Sequence, residues 1–317
     1  MAADILPERR RALLVLNRRA RNGDADLGAI RSTLREGGID IAEHELDGSE
    51  ALADVIRRHA DSCDLVVLGG GDGTMNAAAP ALVETGMPLG IVPLGTANDL
   101  ARTLGLPADP VAAAGLIATV GTRPVDLGEV NGHFFFNVAS IGFSADLAAE
   151  LTGAAKRRWG VFGYVIAAFR LLRRAKLFTV YIEHDNTIET VRTFQASVGN
   201  GRHYGGGMVI ESTASPDDGL LDFYSLEVGH WWSLIALAPS LRRGTHGRWR
   251  NVRAFRTTEI VLRTKTPKPI NTDGELTTWT PGRFRIRPGA VRIHAPMPGS
   301  SEPYDVTNDR TGYLVNG

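Results

Sequence analysis

The sequence is poor in cysteine: Cys63 is the only one in 317 residues. That excludes a disulfide scaffold and a thiolate metal cluster, and it fits a reducing compartment. No apolar run approaches the ~20 residues that cross a bilayer. The start, MAADILPERRRALLVLN, lacks the long apolar stretch and cleavage site of a secretion signal, so a cytoplasmic protein is expected. There is no G-x-x-x-x-G-K-[ST], no G-x-G-x-x-G and no G-x-S-x-G, which excludes a P-loop ATPase, a dinucleotide fingerprint and a nucleophile elbow. The eight histidines show no H-E-x-x-H or similar local zinc spacing. Net charge is absent as well, since 35 Lys+Arg balance 35 Asp+Glu.

What is present is an ordinary folded composition, 43% hydrophobic and 22% charged, in a length that favours two domains. The zero charge hides a split: residues 1–152 carry −9 and residues 153–317 carry +9. The halves therefore do different work, and the second is suited to meet something anionic.

In the first half, strand-length apolar runs at Ala12–Leu16, Leu65–Leu68 and Leu89–Val92 alternate with helical stretches. The latter are expected at Asp26–Glu36, Ser49–Ala60 (with Ser49 as N-cap), Thr74–Glu84, Ala97–Leu104 and Asp109–Val120. Such alternation implies a mostly parallel sheet covered on both faces. After about Pro124 the pattern becomes short β-rich runs: His133–Val138, Phe178–Glu183, Thr193–Val198, Gly219–Glu227, Glu259–Arg263, Arg283–Ile286 and Val291–His294. These predict an antiparallel sandwich or barrel, interrupted by one helix at about Ala154–Lys176.

The strongest local signal is Asp64–Asn76, an apolar strand running into Gly69, Gly70 and Gly71, then Asp72, Gly73, Thr74, Met75 and Asn76. Glycines admit a phosphate to the backbone, and the helix that follows offers free N–H groups. Asp72 would need a cation or a ribose hydroxyl beside it. A second loop, Ile91–Arg102, repeats the design, with Thr96 or Asn98 expected to cap a helix. Parallel strands would bring both turns to one sheet edge. Pro216–Leu220 and Asn271–Glu275 each read either as a turn or as a carboxylate site, for a hard cation in the first case and for a proton-accepting base in the second. Gly199–Met208 reads as a glycine-rich hairpin or as a cleft wall with Arg202 near phosphate.

Gly70–Thr74 followed by Pro93–Asp99 resembles the diacylglycerol-kinase catalytic domain. Phe136–Ala139, Gly199–Met208 and Thr272–Glu275 extend the resemblance, in the same order, to the whole of the small bacterial lipid kinases of that group. It implies a NAD-kinase/diacylglycerol-kinase-like α/β domain with a mostly parallel sheet at 1–128, a C-terminal antiparallel β-sandwich domain at 129–296, and a segment 297–317 packing back on the first domain. It also implies an ATP-dependent kinase of a lipid hydroxyl. ATP would lie at Gly70, Gly71, Asp72, Gly73, Thr74, Met75, Asn76 and Thr96. Mg²⁺ would be held by Ser215, Asp218 and Leu220, and the proton acceptor would be Glu275, oriented by Asp273 or a metal. Ala77 stands where the family usually has Glu, and Asn17–Gly23 departs from the usual Asn-Pro. A soluble-metabolite kinase resembling NAD kinase shares the Gly-Gly-Asp-Gly loop and remains the alternative.

Two stretches, Lys156–Lys176 and Arg242–Arg256, are basic, contain no acid and are interleaved with aromatics. That composition suits the anionic face of a membrane, bound peripherally, with nucleic acid as the disfavoured rival. A homodimer is left open.

Overall fold

The computed structural model describes residues 9–17, 26–46, 50–150, 176–201, 203–204, 208–209, 215–227 and 252–297. Ser49, the helix expected at 154–176, most of the 242–256 stretch, Arg202 and the segment after 297 lie outside the described residues.

The first half is doubly wound. Strands β1 (Arg10–Leu16), β2 (Ile39–His44), β3 (Leu65–Gly70) and β4 (Leu89–Pro93) are parallel and lie in the order β2-β1-β3-β4. Helices α1 (Leu27–Glu36), α2 (Leu52–His59), α3 (Asp72–Thr85), α4 (Asp99–Thr103) and α5 (Pro110–Thr119) cover the sheet. Ile30 and Leu34 of α1 pack with Ala114 and Ile117 of α5 on one face, while Val55, Ile56, Met75, Leu82 and Leu100 pack on the other. Strands β1, β3 and β4 are buried on both faces, which explains their unbroken apolar runs. Asp26 caps α1 and Asp109 caps α5 through their side chains.

The second half is an antiparallel sandwich, in keeping with its short β-rich runs. Strands β5 (Thr122–Val130), β6 (His133–Phe135), β7 (Val138–Gly142), β8 (Phe178–His184), β9 (Thr187–Thr193), β10 (Gln195–Gly199), β11 (His203–Tyr204), β12 (Met208–Val209), β13 (Leu221–Leu226), β14 (Val252–Thr257), β15 (Glu259–Thr264), β16 (Pro269–Thr272), β17 (Glu275–Trp279) and β18 (Gly282–His294) follow, with helix α6 (Phe143–Glu150) after β7. One layer has the order β14-β13-β10-β7-β16-β17. The other continues the first sheet through β18-β15-β8-β9. Val180, Ile182, Ile260, Leu262 and Phe284 from that layer meet Ala139, Ile141, Val198, Phe223 and Ile270 of its mate to form the core.

Three expectations are corrected. Residues 133–138 are not one strand, because the chain breaks at Phe136–Asn137, where the backbone amides turn to a side chain described below. Arg283–Ile286 and Val291–His294 are one strand, whose register shifts between Arg287 and Val291 so that Pro288 is accommodated in an irregularity rather than a turn. Asn98 does not cap α4. It has φ 50°, and its side chain turns back to bond the N–H and C=O of Gly95, at 3.0 Å each.

Candidate functional site

The order β2-β1-β3-β4 makes the chain switch direction between β1 and β3, and open α/β sheets bind ligands beyond the strand ends at such a point. Asn17 follows β1 there. Its N–H donates to Gly69 O at 2.8 Å, and its Nδ2 donates to Thr74 Oγ1 at 3.2 Å.

The glycine loops after β3 and β4 pack main chain to main chain. A Cβ built on Gly70 would fall 2.4 Å from Thr74 Oγ1, and one on Gly95 would fall 2.5 Å from the Cα of Gly71. At Gly95 no side chain fits without moving the opposite loop, and at Gly70 the space is taken by the Thr74 side chain of the same turn. The amides of Thr74 and Met75 return to Gly71 O, at 2.9 and 3.2 Å, so those of Asp72 and Gly73 are the ones left facing outward from the helix start. Gly73 and Thr96 are exposed, and Asn76 Oδ1 is buried without a partner. Met75 differs from its neighbours, since its side chain is part of the core and only its backbone belongs to the loop. Asp72 Oδ1 accepts from Leu100 N at 3.0 Å, which supplies the cap that Asn98 does not.

Asn271–Glu275 is the hairpin between β16 and β17. Asp273 (φ 49°) and Gly274 (φ 99°) are its two central residues, both in the left-handed region as a tight hairpin turn requires. The Asp273 carboxylate points inward. Oδ2 accepts from Phe136 N at 2.7 Å, and Oδ1 accepts from Asn137 N at 3.0 Å and Val138 N at 2.9 Å. Burial pushes this carboxyl up to about 7. The three amides pull the other way, and the nearby Asp72 carboxylate adds to the push. The anchored turn presents Glu275, exposed, over the glycine loop: its Oε1 lies 3.5 Å from where a Cβ on Gly73 would sit. Three of the segments singled out in the sequence thus converge.

Ser215, Asp218 and Leu220 lie elsewhere, on the turn before β13. Asp218 Oδ1 accepts from Leu220 N at 3.0 Å, Oδ2 lies 3.8 Å from Arg256 Nη1, and Ser215 Oγ donates to Asp217. Burial raises the Asp218 carboxyl, with the Asp126 carboxylate adding to the rise. Asp126, nearly fully buried, accepts from Gly219 N and from Gly289 N, both at 2.7 Å. Asn200, also buried, donates from Nδ2 to the carbonyls of Asp126 and Phe136, at 2.9 Å each. The turn of Ser215, Asp218 and Leu220 is therefore bonded through β5 and Asn200 to the corner that holds Asp273. Asp126 was not foreseen. A lone acid within the apolar run Val125–Leu127 is the signal that could have found it. Among the described residues no three His, Cys, Asp or Glu side chains form a metal cluster. The backbone of β11 approaches α4, which brings the glycine-rich hairpin to the same edge.

Comparison with known proteins bears on the whole chain. The model of the diacylglycerol kinase catalytic domain matches residues 11–130, and that of the YegS C-terminal NAD kinase beta sandwich-like domain matches residues 137–295. A Pseudomonas aeruginosa protein named "Probable lipid kinase YegS-like" is 31% identical over 289 residues, covering 90% of this chain and 94% of its own. A Mycobacterium tuberculosis protein named diacylglycerol kinase is 32% identical over 285 residues, covering 86% and 90%. A crystal structure from Bacillus anthracis, described as a "putative diacylglycerol kinase", superposes with a TM-score of 0.76 at 25% identity over 94% of this chain and 99% of that one.

Proposed function

Because the chain belongs to the diacylglycerol kinase catalytic-domain family, and is thus a kinase of the lipid-kinase group, we propose that it transfers the γ-phosphoryl group of ATP to a lipid primary hydroxyl. The acceptor would be diacylglycerol or a related glycerolipid or sphingoid lipid, reached from the cytoplasmic face of a membrane. The observation that carries this reading is the approach of Glu275 to Gly73, which sets a carboxylate beside the helix start where a terminal phosphate would rest.

Gly70–Asn76, with Thr96, would cradle the triphosphate. The built-Cβ clash between Gly95 and Gly71 supports this, because it leaves backbone rather than side chains where the two loops meet. Asp72 serves that cradle by fixing α4 and the second loop. Glu275 would accept the proton as the lipid oxygen attacks, and Asp273, bonded to three amides, would hold the hairpin that presents it. The turn of Ser215, Asp218 and Leu220 suits Mg²⁺ in donor chemistry, since a hard cation takes carboxylate and carbonyl oxygens and would relieve the repulsion between Asp126 and Asp218. Mg²⁺ there would supply charge neutralisation and rigidity.

The test is purified protein with γ-labelled ATP, Mg²⁺ and a total lipid extract, with NAD⁺ as a parallel acceptor. Label in an extractable lipid is expected. Label only in NAD⁺ would replace this reading with the soluble-metabolite one.

A further inference from the structure

We infer that the outer edge of the six-stranded layer, centred on Trp279, is the surface that seats on an anionic membrane. The inference rests on the lipid-kinase reading, because it asks how the base reaches a substrate embedded in a bilayer.

Strand β17 ends its layer, so one of its sides has no neighbouring strand among the described residues. It begins at Glu275 and ends at Trp279, four residues or about 13 Å further along. Trp279 is 60% exposed and Leu276 44% exposed, which is unusual for side chains of their size. The neighbouring loop, Lys265–Lys268, is pinned to this end. Thr280 N donates to Lys268 O at 2.9 Å, Lys268 N donates to Thr280 Oγ1 at 2.9 Å, and the Thr264 and Thr280 hydroxyls are 2.5 Å apart. From the other side Asn131 Nδ2 donates to the carbonyls of Trp279 and Pro281, at 3.2 and 3.0 Å. Trp279 is therefore held outward on a braced frame.

Charge decides what it meets. The arginines of β15 and β18, in the other layer, are paired, Arg263 with Glu183 and Arg283 with Glu259. Neither Lys265 nor Lys268 has a carboxylate partner among the described residues, and Lys268 Nζ stands 4.5 Å over the Phe178 ring. Unpaired cations beside an exposed indole suit lipid phosphate, with the ring at headgroup depth. The open N–H and C=O groups of the edge forbid deeper burial in hydrocarbon.

The experiment uses the full chain and co-sedimentation with phosphatidylglycerol–phosphatidylcholine vesicles. Trp279→Ala should weaken binding at least fivefold. Lys265→Ala with Lys268→Ala should weaken it by about 25-fold, at roughly fivefold per lysine, and this second effect should vanish on pure phosphatidylcholine. Turnover of a short-chain, water-dispersed diacylglycerol by Trp279→Ala should match the parent, separating docking from folding and chemistry. Parent-like vesicle binding by both folded variants would overturn the inference. So would light scattering that shows Trp279→Ala dissociating a dimer while vesicle binding is unchanged. Vesicle binding lost through Trp279 in a protein that phosphorylates no lipid would uphold the surface and reject the kinase substrate instead.

Discussion

Asp72 Oδ1 accepts a hydrogen bond from the amide of Leu100 at 3.0 Å, so the acid that opens α3 caps α4, 28 residues later. One carboxylate thus fixes the two glycine loops to each other. An edge built from two separate turns needs such a tie, because each turn alone could shift against its neighbour.

This separates two roles that a single substitution would confuse. Asp72→Ala removes the cap and should cost about 1 kcal/mol, the usual worth of a capping acid. Asp72→Asn keeps an oxygen for Leu100 N and should melt close to the parent. Thermal melts of both variants check this. Equal destabilisation would mean that charge, not the bond, matters at that place. Any loss of ATP affinity in the stable Asn variant would then report on charge alone.

Gly95→Ala places a methyl group 2.5 Å from the Cα of Gly71 and 2.6 Å from Asn98 Oδ1. The first is backbone, and the second is a side-chain oxygen whose amide is tied to Gly95 by two hydrogen bonds. The loops must part, and we expect about 1–3 kcal/mol of lost stability together with weakened nucleotide binding. Denaturant titration and equilibrium binding of ATP are the measurements. Parent-like values in both would show that the loops can yield.

Glu275→Gln keeps the shape of the side chain and removes its basicity. Turnover on the identified lipid should fall by about 10²–10⁴-fold with ATP affinity nearly unchanged. Steady-state kinetics, with melts as a folding control, decide it. A folded variant within about threefold of the parent removes Glu275 as the base.

Asp273 carries a pH signature. Its carboxyl is raised from 3.8 to about 7 in the fold, so between those values the native state holds a proton that the unfolded chain has released. Its contribution to stability is present below about pH 4 and is lost as pH rises toward 7. Asp273→Asn should melt lower at acidic pH, having traded one amide bond for a clash, and should lose less on going from pH 4 to 7. Identical slopes for parent and variant would remove Asp273 as the titrating group.

How far the sequence could be read follows from the range of the forces involved. Leu65–Thr85 was legible because a fully buried strand, three glycines and a helix are local signals in one stretch. Thr272–Glu275 announced its turn through Asp-Gly. Long-range bonds left no such trace: Asp72 reaching Leu100, Asp273 breaking the chain at Phe136–Asn137, and Asp126 clasping Gly219 and Gly289 all depend on folded proximity. Strands β2 and β9 escaped notice because they are half-exposed, with polar residues diluting the alternation. Pro288-Gly289 looked like a turn between two strands, since nothing local says that β18 continues through it.

That long strand also governs the order of assembly. β18 runs beside β5, with Phe284 opposite Val130, 154 positions earlier, and touches β4 at Ile293. During vectorial synthesis the first half can collapse into its parallel layers soon after it leaves the ribosome. The flank of β4, however, stays uncovered until residue 293 has emerged. At about 5–20 residues per second, that wait is roughly ten to forty seconds of exposed, hydrogen-bond-hungry strand edge. Expression yield should therefore respond to translation speed and to holdase chaperones far more than the stability of the finished molecule would suggest.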